Sequence, residues 1–141
     1  MHVITVTRRC EAPPEAVWQL FADVPGRTRW DDELERGGID GLFVKGARGT
    51  VKLKSQPERR FEILECEPPV RYTDRYFLPM GGKMDWVHTV RAVDGGCDIT
   101  FDISVSGPTG FLLGPIMKKI LGRALPPTVE KLAAVAAKLD S

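Results

Sequence analysis

The chain has 141 residues, 43% of them apolar and 28% charged, and its 20 Lys and Arg against 19 Asp and Glu leave a formal net charge of +1. That length suits one well-buried domain, residues 1–141, and the composition excludes a disordered polymer. So even a charge balance excludes general electrostatic capture of nucleic acid or of an anionic membrane.

Val3-Ile-Thr-Val-Thr7 reads as a strand that runs directly into a helix. No charged leader with an apolar core precedes it, so no targeting segment is expected and the cytoplasm is the expected compartment. Pro14 suits the first helical turn, where its missing N–H costs nothing, and Glu15 suits the positive end of the helix dipole. Val17, Leu20, Phe21 and Val24 recur at helical spacing, and Pro25-Gly26 ends the run. Trp30 follows on a connector that carries Arg27, Arg29, Asp31, Asp32, Glu33, Glu35 and Arg36. So dense a mixture of signs is expected to be solvated; the alternative is a gate that recognises a polar head group, with Trp30 closing it.

Gly37-Gly38, Asp40-Gly41 and Lys45-Gly46 punctuate a strand pair over residues 33–54, where Thr50 to Lys54 alternates cleanly. Lys45, Arg48, Lys52, Lys54, Arg59 and Arg60 crowd this region, opposed only by Glu58. A solvated outer hairpin face is expected rather than a phosphate site, because Glu62, Glu65 and Glu67 follow at once. Arg59 to Cys66 is the next strand, Glu67-Pro68-Pro69 a turn, and Val70 to Leu78 a further strand that stops at Pro79-Met80-Gly81-Gly82. Alternation puts Tyr72, Asp74, Tyr76 and Leu78 on one face, and its rings make that face the inner one. Asp74 then also turns inward, which demands a wet sheet end, a buried cation as partner, or the opposite parity for this strand.

Asp85 to Val93 and Cys97 to Val105 flank Asp94-Gly95-Gly96, the strongest hairpin signal in the chain. Cys97, Ile99, Phe101, Ile103 and Val105 are apolar and their neighbours polar, so they face inward. A two-residue turn at Asp94-Gly95 pairs residue 90 with 99 and 88 with 101, which brings Trp86, His88 and Val90 to the same face. A three-residue turn would put His88 outside.

From Pro108 the period becomes helical, through Leu113, Met117, Ile120, Leu121 and Ala124 and then Val129, Leu132, Ala133, Ala136 and Leu139. Gly114-Pro115 and Pro126-Pro127 interrupt it, predicting a broken or kinked helix over about 109–139. Gly110 to Gly114 is expected to pack into the core at the helix start; the alternative is an apolar lip that meets a membrane. The longest apolar run, Gly110 to Met117, is too short for a membrane span. Cys10, Cys66 and Cys97 are an odd set without CxxC spacing, expected as small buried thiols in a reducing compartment. With His2 and His88 the only histidines, no metal site is expected. The absence of a nucleotide-binding glycine fingerprint and of a nucleophile elbow points away from a cofactor.

Strands gathered together with helices at the ends predict an α+β chain with an antiparallel sheet. Pro13-Pro-Glu-Ala-Val-Trp18, the Trp30 connector, Val44 to Thr50, Glu65 to Pro69, the Asp94 turn and Ser106 to Gly110 together resemble the START-like helix-grip (SRPBCC) superfamily, in its polyketide cyclase/dehydrase branch. The resemblance implies a curved antiparallel sheet wrapped around a long, kinked C-terminal helix, with one or two short helices after the first strand and a hollow apolar cavity between sheet and helix. It transfers positions rather than a catalytic motif: Trp30, Val51, Leu53, Phe61 and Ile63 early in the chain; Tyr72, Tyr76, Leu78, Met80, Trp86 and His88 in the middle; Phe101, Ile103, Leu113, Met117, Ile120 and Leu121 towards the end.

The leading expectation is therefore binding of a hydrophobic small molecule, such as a lipid, an isoprenoid quinone or an aromatic polyketide, by a monomer or weak dimer with no nucleic-acid partner and no stable membrane insertion. The alternative is a cofactor-independent cyclase or dehydratase in which His88 and Tyr72 or Tyr76 move protons. Against it stands a satisfied interior His88 bonded to a tyrosine or a carbonyl, since no carboxylate at readable spacing orients the ring and Asp85 has the opposite parity. A chaperone-linked interaction domain is a further alternative, suggested by the breadth of the family alone.

Overall fold

The chain opens with β1 (His2–Cys10) and α1 (Pro14–Ala22), then passes through a 3-10 helix (Pro25–Arg29) into β2 (Leu34–Ile39), β3 (Arg48–Leu53), β4 (Arg59–Glu67) and β5 (Arg71–Phe77). A short 3-10 turn (Pro79–Gly81) leads to the hairpin of β6 (Lys83–Val93) and β7 (Gly96–Ser106), and α2 (Gly110–Asp140) follows. The computed structural model describes residues 1–140. All seven strands join one antiparallel sheet in the order β1-β7-β6-β5-β4-β3-β2. β1 and β2, neighbours in sequence, are therefore its opposite edges, and α1 with the 3-10 helix carries the chain across the inner side. The sheet curls into a half-barrel around that side, an α+β helix-grip arrangement.

The β6–β7 register is the one parity predicts. Asp94 and Gly95 form the turn, Gly95 supplies the positive φ of 80° that the turn needs, and Val90 opposes Ile99 while His88 opposes Phe101. Cys97, Ile99, Phe101, Ile103 and Val105 are all buried, as are His88 and Val90. The β4–β5 register shifts between Ile63 and Glu65, a bulge that keeps Phe61 and Ile63 inward and brings Cys66 opposite Tyr72.

α2 is one helical run with Pro115, Pro126 and Pro127 inside it, each removing a backbone donor where the sequence predicts a bend. It packs against β1, β7 and α1 through Leu121, Leu125, Val129, Leu132, Ala133 and Ala136. Small residues at its end allow close approach: the Cys10 thiol donates to the Ala133 carbonyl at 3.5 Å.

Three local expectations need correction. Phe111 and Leu112 are exposed, and Gly110 and Gly114 face the sheet in their place, so the helix start does not pack its large apolar side chains into the core. Arg27 is buried although Arg29, Asp32, Glu33, Glu35 and Arg36 around it are exposed, because the 3-10 helix turns that one side chain under the end of α1. Cys66 is only half-buried, next to the bulge, whereas Cys10 and Cys97 are fully buried; all three are free thiols. Of the basic residues around β3, Arg48, Lys52 and Arg60 lie outward as expected, with Arg48 paired to Glu62 and Lys52 to Glu35, whereas half-buried Arg59 opposes Val51 and shares its inner face.

Candidate functional site

Three rows of side chains cross the inner face of the sheet: Phe61–Tyr76–Met84, Ile63–Asp74–Trp86–Ile103 and Cys66–Tyr72–His88–Phe101. Asp74 thus stands between two apolar neighbours in its own row and diagonal to His88 in the next. Its side chain is 1% exposed, and its cation is Arg27, whose Nη1 lies 3.9 Å from Asp74 Oδ2. Nε and Nη2 of Arg27 both donate to the Phe21 carbonyl, at 3.0 and 2.8 Å, so the last turn of α1 holds the guanidinium in place. The same group lies 5.7 Å from the Phe43 ring centre and 5.6 Å from that of Tyr72.

Tyr76 donates its hydroxyl to Asp74 Oδ2 at 3.2 Å. His88 Nδ1 is 4.0 Å from Asp74 Oδ1, too far for a hydrogen bond. Tyr72 stacks flat on His88, ring centres 4.0 Å apart at 5°, and Phe21 meets both edge-on at 5.0 and 5.4 Å. Asp85, the other acid near His88 in sequence, faces outward and clamps Arg75 with bonds of 2.7 and 2.9 Å.

Burial pushes the Asp74 carboxyl up to about 7, with Arg27 and the Tyr76 hydrogen bond pulling the other way. Burial, then the Arg27 charge, hold His88 well below the ordinary imidazole range. Burial raises both Tyr72 and Tyr76 far above ordinary phenols. Burial alone would lower Arg27, but the oxygens of Tyr72, Asp74 and Tyr76 outweigh it and the guanidinium stays charged. Near neutral pH the cluster therefore holds one permanent cation, a carboxyl at its midpoint, a neutral imidazole and two phenols. Among the described residues, five buried side-chain polar atoms have no hydrogen-bond partner: Trp30 Nε1, Tyr72 Oη, Asp74 Oδ1, Trp86 Nε1 and His88 Nδ1. Buried polar groups are nearly always paired, and these orphans are linked through the rings around Phe21.

The positions inferred from the sequence separate into three sets. Trp30, Val51, Phe61, Ile63, Tyr72, His88, Phe101, Ile103 and Leu121 are buried. Leu53, Tyr76, Leu78, Trp86, Leu113 and Met117 are half-buried. Met80 and Ile120 are exposed, at 83% and 46%. Arg27 and Asp74 were not among those positions, although a buried cation was one of the environments that the inward parity of Asp74 allowed. The space expected to be hollow is largely filled by rings in contact. A separate open groove of about 550 Å³ lies against β3 and β4 among Arg48, Thr50, Arg60, Glu62 and Phe77, and none of Arg27, Asp74, Tyr76 and His88 lines it. Among the described residues no group of three or more His, Cys, Asp or Glu converges to hold a metal ion.

Solved structures share this fold. Protein MLL2253 from Mesorhizobium loti matches with 17% identity and a TM-score of 0.75, over 98% of this chain and 98% of that one. Protein NE0264 from Nitrosomonas europaea matches with 12% identity and a TM-score of 0.77, over 96% and 94% of the two chains. DynU16, from the dynemicin biosynthetic locus, matches with 21% identity and a TM-score of 0.69 over 93% of this chain and 45% of its own. Identities this low speak for the fold alone. No curated protein matches in sequence. No helix among the described residues is long and apolar enough to cross a membrane. The model of the polyketide cyclase/dehydrase and lipid transport family matches residues 1–137, and the chain belongs to that family.

Proposed function

We propose that the chain, as one domain over residues 1–141, binds a hydrophobic small molecule between the inner sheet face and α2, the rings that now fill that space parting to admit it, with the guest's oxygen atoms turned to Arg27, Asp74 and His88. Lipids, isoprenoid quinones and aromatic polyketides meet that description. The observation that carries this reading is the set of five unpartnered buried polar atoms inside an aromatic wall. A carbonyl or hydroxyl on an otherwise apolar guest would satisfy several of them, while the half-buried Leu53, Tyr76, Leu78, Trp86, Leu113 and Met117 would cover its body. Its expected form is a monomer or weak dimer, and its three free thiols suit the reducing cytoplasm.

Native mass spectrometry of gently purified protein, with extraction of whatever leaves on denaturation, tests the reading. An apolar compound released from wild type and lost from Trp86→Ala is the expected result. A clean unliganded mass, together with unchanged uptake of added quinone by Trp86→Ala, would overturn it.

One observation favours a second reading, cofactor-independent cyclisation or dehydration. His88 has a carboxylate within 4.0 Å after all, on the neighbouring strand rather than its own. A carboxyl near its midpoint at neutral pH suits removal of a proton from a carbon between two carbonyls, and Arg27 would stabilise the resulting enolate oxygen. Tyr76 or Tyr72 would protonate an oxygen that leaves as water. Turnover of a poly-β-ketone by wild type that vanishes in Asp74→Asn but not in Trp86→Phe would support this reading; equal turnover in Asp74→Asn would remove it.

A further inference from the structure

The first half of α2 shows water a face that ordinary packing does not account for. Phe111 is 81% exposed, Leu112 75%, Ile116 55% and Ile120 46%. Beside them stands Met80, 83% exposed on the β5–β6 turn. The Thr109 hydroxyl holds that turn against the helix start by donating to the Pro79 carbonyl at 3.3 Å. Met80 has a φ of 60°, the left-handed region that disfavours a side-chain-bearing residue, and it presents its thioether outward there. Scattered exposed apolar residues need no explanation, but a contiguous set of this size does.

The charges of the same stretch say what kind of surface would cover it. Between Gly110 and Val129 there is no Asp or Glu, while Lys118, Lys119 and Arg123 are present. Among the described residues these three enter no ion pair, in contrast to Lys131 further along the helix, which pairs with Asp32. At 3.6 residues per turn, Phe111, Leu112, Pro115, Ile116, Lys119 and Arg123 share one side of the helix, and Gly110, Gly114, Met117 and Leu121 the other.

We propose that this face docks reversibly on anionic lipid bilayers, with Phe111, Leu112, Ile116 and Met80 entering the boundary between headgroups and acyl chains and Lys118, Lys119 and Arg123 meeting lipid phosphates. A second copy of the chain is the poorer occupant. A two-fold contact through this face would set the unpaired cations of both copies against one another. Docking does not depend on the ligand reading. It would, however, lay the bilayer one helix thickness from the sheet, since Leu113 and Met117 are half-buried on the inner side of the same segment.

The test is flotation of the whole protein with empty vesicles, either pure phosphatidylcholine or phosphatidylcholine doped with phosphatidylglycerol. Wild type is expected to float with the anionic vesicles alone and to be released by salt. Leu112→Asp should weaken that binding about tenfold, because the side chain that enters the interface becomes charged. Lys118→Glu with Lys119→Glu should weaken it about twentyfold or more, each lysine near the surface being worth roughly a factor of five. Leu42→Asp, at an equally exposed position on the β2–β3 loop, should change nothing, and unchanged melting curves would show that all variants fold. Failure of wild type to float, equal binding to both vesicle types, or binding untouched by Leu112→Asp would each overturn the proposal. So would a concentration-dependent dimer that Leu112→Asp abolishes, which would assign the face to a second copy.

Discussion

Replacing Asp74 by asparagine tests the electrostatics of the inner cluster through stability alone. The folded carboxyl titrates at about 7 against an ordinary value of 3.8. Between those values the folded chain holds a proton that the unfolded chain has released. The stability from that group is complete below the unfolded value and is lost as pH rises to the folded one. At about 1.36 kcal/mol for each pH unit between the two values, the loss totals about 4 kcal/mol. His88 works in the opposite direction. Burial keeps its ring neutral in the fold, so its contribution is lost as pH falls below about 6.5, the unfolded imidazole value. Below about pH 6.5, for as long as the folded His88 ring stays neutral, the two slopes oppose and flatten the wild-type curve. An asparagine side chain has no proton to release, so the variant keeps only the His88 slope, and its own stability should climb as pH approaches about 6.5 from below. Its stability relative to wild type should swing in its favour by about 4 kcal/mol between about pH 4 and about pH 8. Urea unfolding of both proteins across that range, with free energies extrapolated to water, measures the swing. A difference that is the same at both ends would show that Asp74 titrates as a free carboxylate, and the account of the buried cluster would fail.

Arg27→Met removes both bonds to the Phe21 carbonyl and the counter-charge of Asp74, and should cost about 3–5 kcal/mol at about pH 8. At about pH 5 the loss should be smaller, because Asp74 then takes up a proton; equal losses by urea unfolding at the two pH values would refute the coupling. Phe21→Ala empties the centre of the ring cluster and should lower unfolding free energy by about 3–5 kcal/mol; a loss below about 1 kcal/mol would show that the rings repack around the gap. Gly49→Val drives a Cβ into the Gly38 carbonyl oxygen and to 2.6 Å from the Phe61 ring, so strands β2 and β3 must separate or the ring must move. Its expected cost is about 1–3 kcal/mol, and an unchanged midpoint in urea would contradict that close approach.

Much of the inner wall was legible because strands carry a period of two. Asp94-Gly95 sets the hairpin register, and alternation then turns Trp86, His88, Tyr72, Asp74 and Tyr76 to one face without any knowledge of the rest of the chain. Arg27 was not legible. It lies in a stretch of alternating charges that local composition assigns to water, and only the turn of the 3-10 helix beneath α1 buries it. The approach of Asp74 to His88 escaped for a related reason: it crosses from β5 to β6, while neighbours along a single strand are the ones that sequence spacing exposes. The first half of α2 defeated the periodic reading because its apolar residues occur on nearly every side. Glycines at 110 and 114, rather than large side chains, decide which side meets the sheet.

The placement of β1 against β7 bears on how the protein emerges from a ribosome. Thr5 finds its partner at Asp102 and Cys10 at Cys97, so the first strand made is completed by the last. At synthesis rates of about 5–20 residues per second, β1 waits roughly 5–20 s for its neighbour. During that interval Val3, Val6 and Cys10 have no sheet to cover them, and β2 to β5 can pair among themselves while one end of the sheet stays open. Nascent chains halted before residue 96 would therefore present an unpaired strand and an uncovered α1, the species on which a chaperone or an aggregating neighbour would act.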